Sequence, residues 1–169
     1  VFAELGEAGN PWGETERECR IALNKRYNDL AEQIVGKRLL REDFLKPEEM
    51  LPAYKEIGEV FGGQYLFNGV STWLKRSCST PQELEKVLDR VDRMDIKSFI
   101  LPENWENEKK RIWNDYGKKP TIWRNVRGPV TLATSIYGIE NLIFLYYDEP
   151  ELFERFSQTI CKVILEYVT

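Results

Sequence analysis

Apolar positions recur at three- and four-residue steps in three stretches of this chain, and each stretch follows a helix-start signal. Thr15-x-x-Glu18 has capping-box spacing and precedes Ile21, Leu23, Tyr27, Leu30 and Ile34, with Gly36 as the stop. Thr80-Pro81-Gln82-Glu83 combines an N-cap residue, Pro at the first helical position and Glu at the third. Leu84, Val87, Leu88 and Val91 then make one apolar face. Asp148-Glu-Pro-Glu151 opens the last helix, with Leu152, Phe153, Phe156, Ile160, Val163, Ile164, Tyr167 and Val168 on its stripe. A fourth, charged helix is predicted over 103–116, ending at Gly117.

Strand signals alternate with these helices. Val1–Leu5, Lys37–Arg41 and Thr121–Val126 read as three successive strands, the second resting on an apolar run of only Leu39 and Leu40. Gln64–Phe67 and Val70–Leu74 flank Asn68-Gly69, a dipeptide that accepts the positive φ of a tight hairpin turn. Strands alternating with helices predict parallel β/α units, hence an α/β fold in a single domain over 1–169. Arg127-Gly-Pro-Val-Thr-Leu-Ala-Thr-Ser-Ile-Tyr-Gly138 reads as a strand running into a small, hydroxyl-rich turn at a pocket rim. Val1 opens the chain inside a predicted strand, and the last helix runs to Thr169 without a stop signal. The pattern is that of a piece cut from a longer chain.

Composition narrows the chemistry. The chain has 169 residues, 24 basic against 28 acidic, a net charge of −4, no histidine and three isolated cysteines. A net negative chain does not carry a broad nucleic-acid footprint. No apolar run is long enough to span a bilayer. Three lone cysteines argue against a disulfide framework and for a reducing, cytoplasmic setting. Without histidine or a Cys-x-x-Cys pair, no imidazole base and no familiar zinc ligand set is expected within this segment.

Several polar residues fall where a barrel mouth would use them. Glu42 and Asp43 end the second predicted strand; because adjacent strand residues face opposite ways, at most one enters a pocket. Glu4 lies within an apolar strand, where a charge needs a partner unless it faces solvent, and Glu7 sits in the Gly-rich loop that follows. Arg124, Asn125 and Arg127 flank the third strand's end, where they would bind a carboxylate or phosphate or remain solvated. Thr134 and Ser135 either cap a turn or touch a ligand. Cys78, in a turn before a helix, reads as structural.

Gly128-Pro-Val-Thr-Leu-Ala-Thr134, the Asp148-Glu-Pro-Glu-Leu152 helix start and the Ser79-Thr-Pro-Gln-Glu-Leu84 helix start, taken in order, resemble the uroporphyrinogen decarboxylase family. Gly6-Glu-Ala-Gly9 can be laid over that family's first-strand loop. The resemblance implies the N-terminal part of a (β/α)8 TIM-type barrel, about three β/α units plus the hairpin. The strand ends after Leu5, near Arg41 and after Val126 would share one mouth. It also implies an enzyme: the family holds porphyrinogen decarboxylases, which are carboxy-lyases, and methyltransferases that move a methyl group between a corrinoid and a thiol.

The decarboxylases carry Arg-Gln-Ala-Gly-Arg in that first loop. Those arginines fall on Gly6 and Asn10 here, so two cationic grips for a polyanionic substrate are replaced by no side chain and by a neutral donor. Their second-strand aspartate falls near Glu42 or Asp43, and their tyrosine falls on Ser135. The expected activity is therefore corrinoid-linked methyl transfer or related C1 chemistry. Decarboxylation of a tetrapyrrole is the alternative, and a non-catalytic tetrapyrrole-binding barrel is the second. Glu42 and Asp43 are the catalytic candidates, with Glu4, Glu7, Asn10, Arg124, Arg127 and Ser135 as substrate contacts. Zinc and a corrinoid would be cofactors of the full-length protein, the zinc ligands lying beyond Thr169. Expected partners are a small-molecule or tetrapyrrole ligand and a corrinoid protein, with neither nucleic acid nor membrane.

Overall fold

The apolar stripe of the last helix organises the larger part of this chain. A computed structural model describes residues 1–8, 16–69, 71–120 and 124–169. Asn10, Thr15, Val70 and the predicted strand's Thr121–Trp123 lie outside the described residues. The chain divides into two units: Val1–Met50 with Asn68–Ser71, and Leu51–Phe67 with Thr72–Thr169. Helix makes up 59% of the described residues, accompanied by a small two-stranded sheet.

The first unit is built on α1, Arg17–Val35, which stops at Gly36 with φ 70°, the left-handed conformation that glycine adopts without steric cost. Its N-cap is Glu16, with no side-chain capping bond. The buried face shares only Leu23 with the predicted stripe, whose Ile21 and Tyr27 are half-buried. Leu23, Asn24, Asn28 and Ala31 turn inward, while Leu30 and Ile34 are exposed. The two asparagines explain why. Asn28 Nδ2 donates to the Leu40 carbonyl (2.8 Å), and its Oδ1 accepts from the N–H groups of Leu39 and Leu40 (2.8 Å each). Asn24 Nδ2 donates to the Arg41 carbonyl (2.6 Å).

Those bonds also remove the second predicted strand. The main-chain groups of Leu39–Arg41 that a sheet ladder would use are taken by α1 side chains, and 37–41 forms no strand, bending at Lys37 and Leu40. Val1–Leu5 is likewise a turn: Leu5 N–H bonds to the Val1 and Phe2 carbonyls and Glu7 N–H to that of Phe2, so the segment satisfies itself locally. Arg124–Val126 carries no ladder either. The expected cylinder of three parallel strands is therefore not formed among the described residues, whose sheet is one antiparallel hairpin.

In the second unit, α8 (Pro150–Val168) buries Phe156, Ile160, Val163 and Tyr167. It packs against α3 (Pro81–Asp92), α4 (Ile96–Ile100), α6 (Pro129–Tyr137), α7 (Ile139–Asp148) and the short α2 (Ile57–Val60). The predicted stripe of α3 is confirmed, with Leu84, Leu88 and Val91 fully buried. Its cap forms as expected: Thr80 Oγ1 accepts from Glu83 N–H (3.3 Å), and Glu83 Oε2 accepts from Thr80 N–H (3.2 Å). The charged helix α5 spans Trp105–Tyr116 and stops at Gly117, φ 60°.

The Gly-Pro segment departs from expectation. It is not a turn but α6, opened by Pro129 and burying Leu132, Ala133, Ile136 and Tyr137. Gly138, φ 93°, separates α6 from α7; a Cβ there would stand 2.5 Å from the Arg76 guanidinium. The hairpin pairs β1 (Gln64–Phe67) with β2 (Thr72–Lys75), Phe67 opposite Thr72. Asn68 N–H donates to the Ser71 carbonyl and Asn68 Oδ1 accepts from Ser71 N–H, so the tight turn starts one residue later than predicted, at Gly69 with φ 86°.

Candidate functional site

In the first unit, each predicted carboxylate is held by a local partner. Glu42 Oε1 accepts from Asn28 Nδ2 (2.6 Å) and from Arg38 Nε and Nη2 (2.8 and 2.5 Å). These bonds, the one from Asn28 foremost, draw its carboxyl below the ordinary glutamate range. Arg38 Nη1 also reaches Asp29 (2.8 Å) and Glu32 (3.0 Å), so Glu42 belongs to a clasp between α1 and the segment behind it. Asp43 is exposed and pairs with Arg41 (3.1 Å). Glu4 binds the Val1 amine, which lowers its carboxyl, and Glu7 pairs with Arg26. Asn10 lies outside the described residues. The four carboxylates thus share no partner and do not converge.

The second unit brings sequence candidates together. Arg127 Nη1 donates to Ser135 Oγ (3.3 Å), whose hydroxyl donates to the Thr131 carbonyl (2.7 Å) within α6. Arg124 donates to the Tyr167 carbonyl, and its guanidinium lies over the rings of Tyr167 (5.2 Å) and Tyr54 (5.9 Å). Tyr54 in turn meets Trp105 edge to face (6.1 Å). Arg124 also lines a cleft of about 130 Å³ with Lys97, Trp105, Lys109 and Glu166.

Arg127 acts on two groups not among the sequence candidates, Glu56 and Tyr65, and Glu56 in turn neighbours Glu59 and Tyr167. Glu56 precedes α2, and its N–H donates to Glu59 Oε2 (2.7 Å). Burial raises the Glu56 carboxyl above its usual range, the Glu59 charge raises it further, and the Tyr167 hydroxyl and Arg127 oppose them. Tyr65 Oη accepts from Gly58 N–H (3.2 Å) in a space that a Cβ on Gly58 would enter at 2.9 Å. Burial foremost keeps the Tyr54, Tyr65 and Tyr167 phenols protonated, and the Glu56 charge adds to it in each.

Tyr167 is the unusual member. Its side chain is 0% exposed, yet its hydroxyl has no hydrogen-bond partner; it approaches Glu56 closely enough to act on the carboxyl but without hydrogen-bonding geometry. A buried hydroxyl left so costs about 1–3 kcal/mol. A signal was present in the sequence: Tyr167 is a hydroxyl on a predicted stripe otherwise made of Leu, Phe, Ile and Val.

Glu56→Gln is expected to raise the melting temperature at neutral pH. A carboxyl that binds its proton more tightly folded than unfolded is stabilising below its unfolded pKa. That contribution is lost as pH rises through the raised folded value. Glutamine removes the loss, so the two proteins converge below the ordinary glutamate range. Thermal melts at neutral and acid pH check this; equal melting temperatures at neutral pH would contradict it.

Cys78 is buried and its thiol is pushed up to about 11, by burial first and then by the Glu83 charge, which agrees with a structural role. Cys19 and Cys161 are exposed. Among the described residues, no three His, Cys, Asp or Glu side chains are grouped to hold a metal ion, so the donor set does not fit zinc. No helix among them is long and apolar enough to cross a membrane. Comparison with family models, curated proteins and solved structures found no match to this chain.

Proposed function

We propose that this chain is a segment of a uroporphyrinogen-decarboxylase-like enzyme whose reaction is corrinoid-linked methyl transfer or related C1 chemistry. The observation that carries the reading is the placing of three motif prolines. Pro81, Pro129 and Pro150 each open a helix, at the Thr-Pro-Gln-Glu, Gly-Pro and Glu-Pro-Glu steps that bear the resemblance. The barrel belongs to the proposal too: Val1–Leu5 and Lys37–Arg41 would find strand partners only in the complete enzyme. Its three free cysteines favour a cytoplasmic setting.

Preference for methyl transfer rests on the first loop. Gly6 supplies no side chain where the decarboxylases carry an arginine, and Asn10 supplies no charge. Losing charged hydrogen bonds to a polyanion costs about 1.5–3 kcal/mol for each. Glu42, the carboxylate that would replace the decarboxylases' aspartate, is already committed to Asn28 and Arg38. In this reading Arg124, Arg127 and Ser135 form pocket wall, and a corrinoid protein is the partner. Zinc, when bound elsewhere in the enzyme, would hold the acceptor thiol as thiolate.

The test uses the whole enzyme that carries this chain. Supplied with methylcob(III)alamin and a thiol, it is expected to catalyse loss of the methyl group, followed by the absorbance change of the corrinoid. It is expected to form no coproporphyrinogen from uroporphyrinogen. Porphyrinogen turnover would move the assignment to the carboxy-lyase alternative. Inactivity in both assays would leave a non-catalytic tetrapyrrole-binding barrel.

A further inference from the structure

We infer that the groove between α7 and the start of α8 is a docking site for a basic amphipathic helix of another protein. The site needs neither the family nor the reaction proposed above. Most apolar side chains of α7 lack a packing partner: Leu145 is buried, while Ile139, Ile143, Phe144, Tyr146 and Tyr147 are each more than half exposed. At 3.6 residues per turn, Ile139, Ile143, Tyr146 and Tyr147 fall on one face. Leu142, Ile143, Tyr146 and Tyr147 meet Phe153 of α8 around an open hollow of about 270 Å³. Edge-to-face contacts of Tyr146 with Tyr147 (5.1 Å) and with Phe153 (5.2 Å) hold its walls. A contiguous exposed apolar patch marks an interaction surface, and tyrosines are enriched in such surfaces.

Charge selects the occupant. Between Gly128 and Glu154 the chain carries Glu140, Asp148, Glu149, Glu151 and Glu154, and no Lys or Arg. All five carboxylates are exposed, and among the described residues none has a cation partner. Arg155, the next residue of α8, is spent on Asp89 and Asp92 (2.7 Å each). Arg76 packs on Gly138, at the opposite end of α7 from the four acids at 148–154. The apolar groove is thus bordered by uncompensated negative charge, which a basic rim complements. A second copy of this chain would set carboxylates against carboxylates, and an anionic lipid surface would be repelled in the same way. A helix also suits the shape. From Ile139 to Tyr147 the face covers about 12 Å of helix axis, close to the span of anchors at i, i+4 and i+7 on a partner helix.

The test is fluorescence anisotropy of a labelled synthetic helix of about 18 residues, titrated with the full-length protein. The helix carries Leu and Trp at the anchor positions and Lys elsewhere, and its counterpart carries Glu in place of Lys. The Lys helix is expected to saturate one site and to bind about tenfold or more tighter than the Glu helix. Ile143→Ser and Tyr147→Ser are each expected to weaken it by about tenfold or more, with the helical dichroism of the parent retained because both side chains are exposed. Asp148→Asn combined with Glu151→Gln is expected to weaken binding and flatten its dependence on salt. Absence of saturation would overturn the inference and mean that this face is covered in the whole protein. Equal affinity for the two helices, or unchanged binding by the Ile143 and Tyr147 variants, would also overturn it. So would sedimentation as a dimer that Tyr147→Ser disperses, which gives the face to a second copy, or tighter binding to phosphatidylserine vesicles, which gives it to a membrane.

Discussion

Replacing Phe156 by alanine is expected to destabilise the second unit by about 3–5 kcal/mol, the usual cost of emptying a large aromatic site in a core. Phe156 is 1% exposed and sits on the buried face of α8. Its ring meets Phe61 (6.5 Å between centroids, planes at 76°) and Tyr137 (6.3 Å, 75°), both edge to face. Such pairs add about 0.5–1.5 kcal/mol to the area they bury. Phe61 follows α2 and Tyr137 ends α6, so the vacated space would lie where three helices meet and cannot close by a single shift. Chemical denaturation followed by far-ultraviolet dichroism measures the loss. Leu165→Ala, on the exposed face of the same helix, is expected to stay within about 0.5 kcal/mol. Similar losses for the two variants would mean that α8 is not the organising element of this unit.

Asn28→Ala is expected to cost the first unit about 2–4 kcal/mol and to release the segment around Lys37–Asp43. The asparagine is 0% exposed and serves two main-chain N–H groups, one carbonyl and the Glu42 carboxylate. Alanine would strand the two N–H groups and the carbonyl while Glu42 keeps Arg38, and each stranded group costs up to about 1–3 kcal/mol before water relieves it. Relief is partial here because the segment is near the surface. Glu42 would lose its foremost stabilising donor, and its carboxyl would move back toward the ordinary range. Limited trypsin digestion offers a direct check, since Lys37, Arg38 and Arg41 all lie within the segment. Cleavage there should accelerate in the variant. An unchanged digestion pattern would show that the Arg38 clasp and Asn24 hold the segment without Asn28.

What could be read from the sequence was the punctuation. Pro81 with Thr80 and Glu83, Gly36, Gly117 and Pro150 each act through the chain's own backbone, and each begins or ends a helix within a residue or two of expectation. The stripes of α3 and α8 were equally legible, because a 3.6-residue period fixes a face whatever it packs against. Strands were not. A strand needs a partner, and at Lys37–Arg41 that partner proved to be two asparagine side chains from α1. Leu132, Ala133 and Ile136 carried a helical period, yet Gly128-Pro129 and the hydroxyls beside it suggested a turn, and α6 was missed.

The candidate site was legible only in part. Arg127 and Ser135 stand eight residues apart, joined by Gly128 and about two turns of α6, so they are near each other in the sequence. Glu56 and Tyr65, on which Arg127 acts, come from distant positions, and no local pattern announces a carboxyl whose proton affinity is set by tertiary burial. Glu42 looked like a pocket group because it ends an apolar run. Its chemistry is spent on Arg38 and Asn28 instead.

The unequal accessibility of the three thiols gives the molecule a built-in pair of handles. Cys19 on α1 and Cys161 on α8 are open to reagent, one in each unit, while Cys78 is shielded. A donor and an acceptor fluorophore attached to the unaltered chain would therefore report how far apart the two units lie in solution. No residue would need replacing, and the same labelled sample would register any ligand that draws the units together or drives them apart.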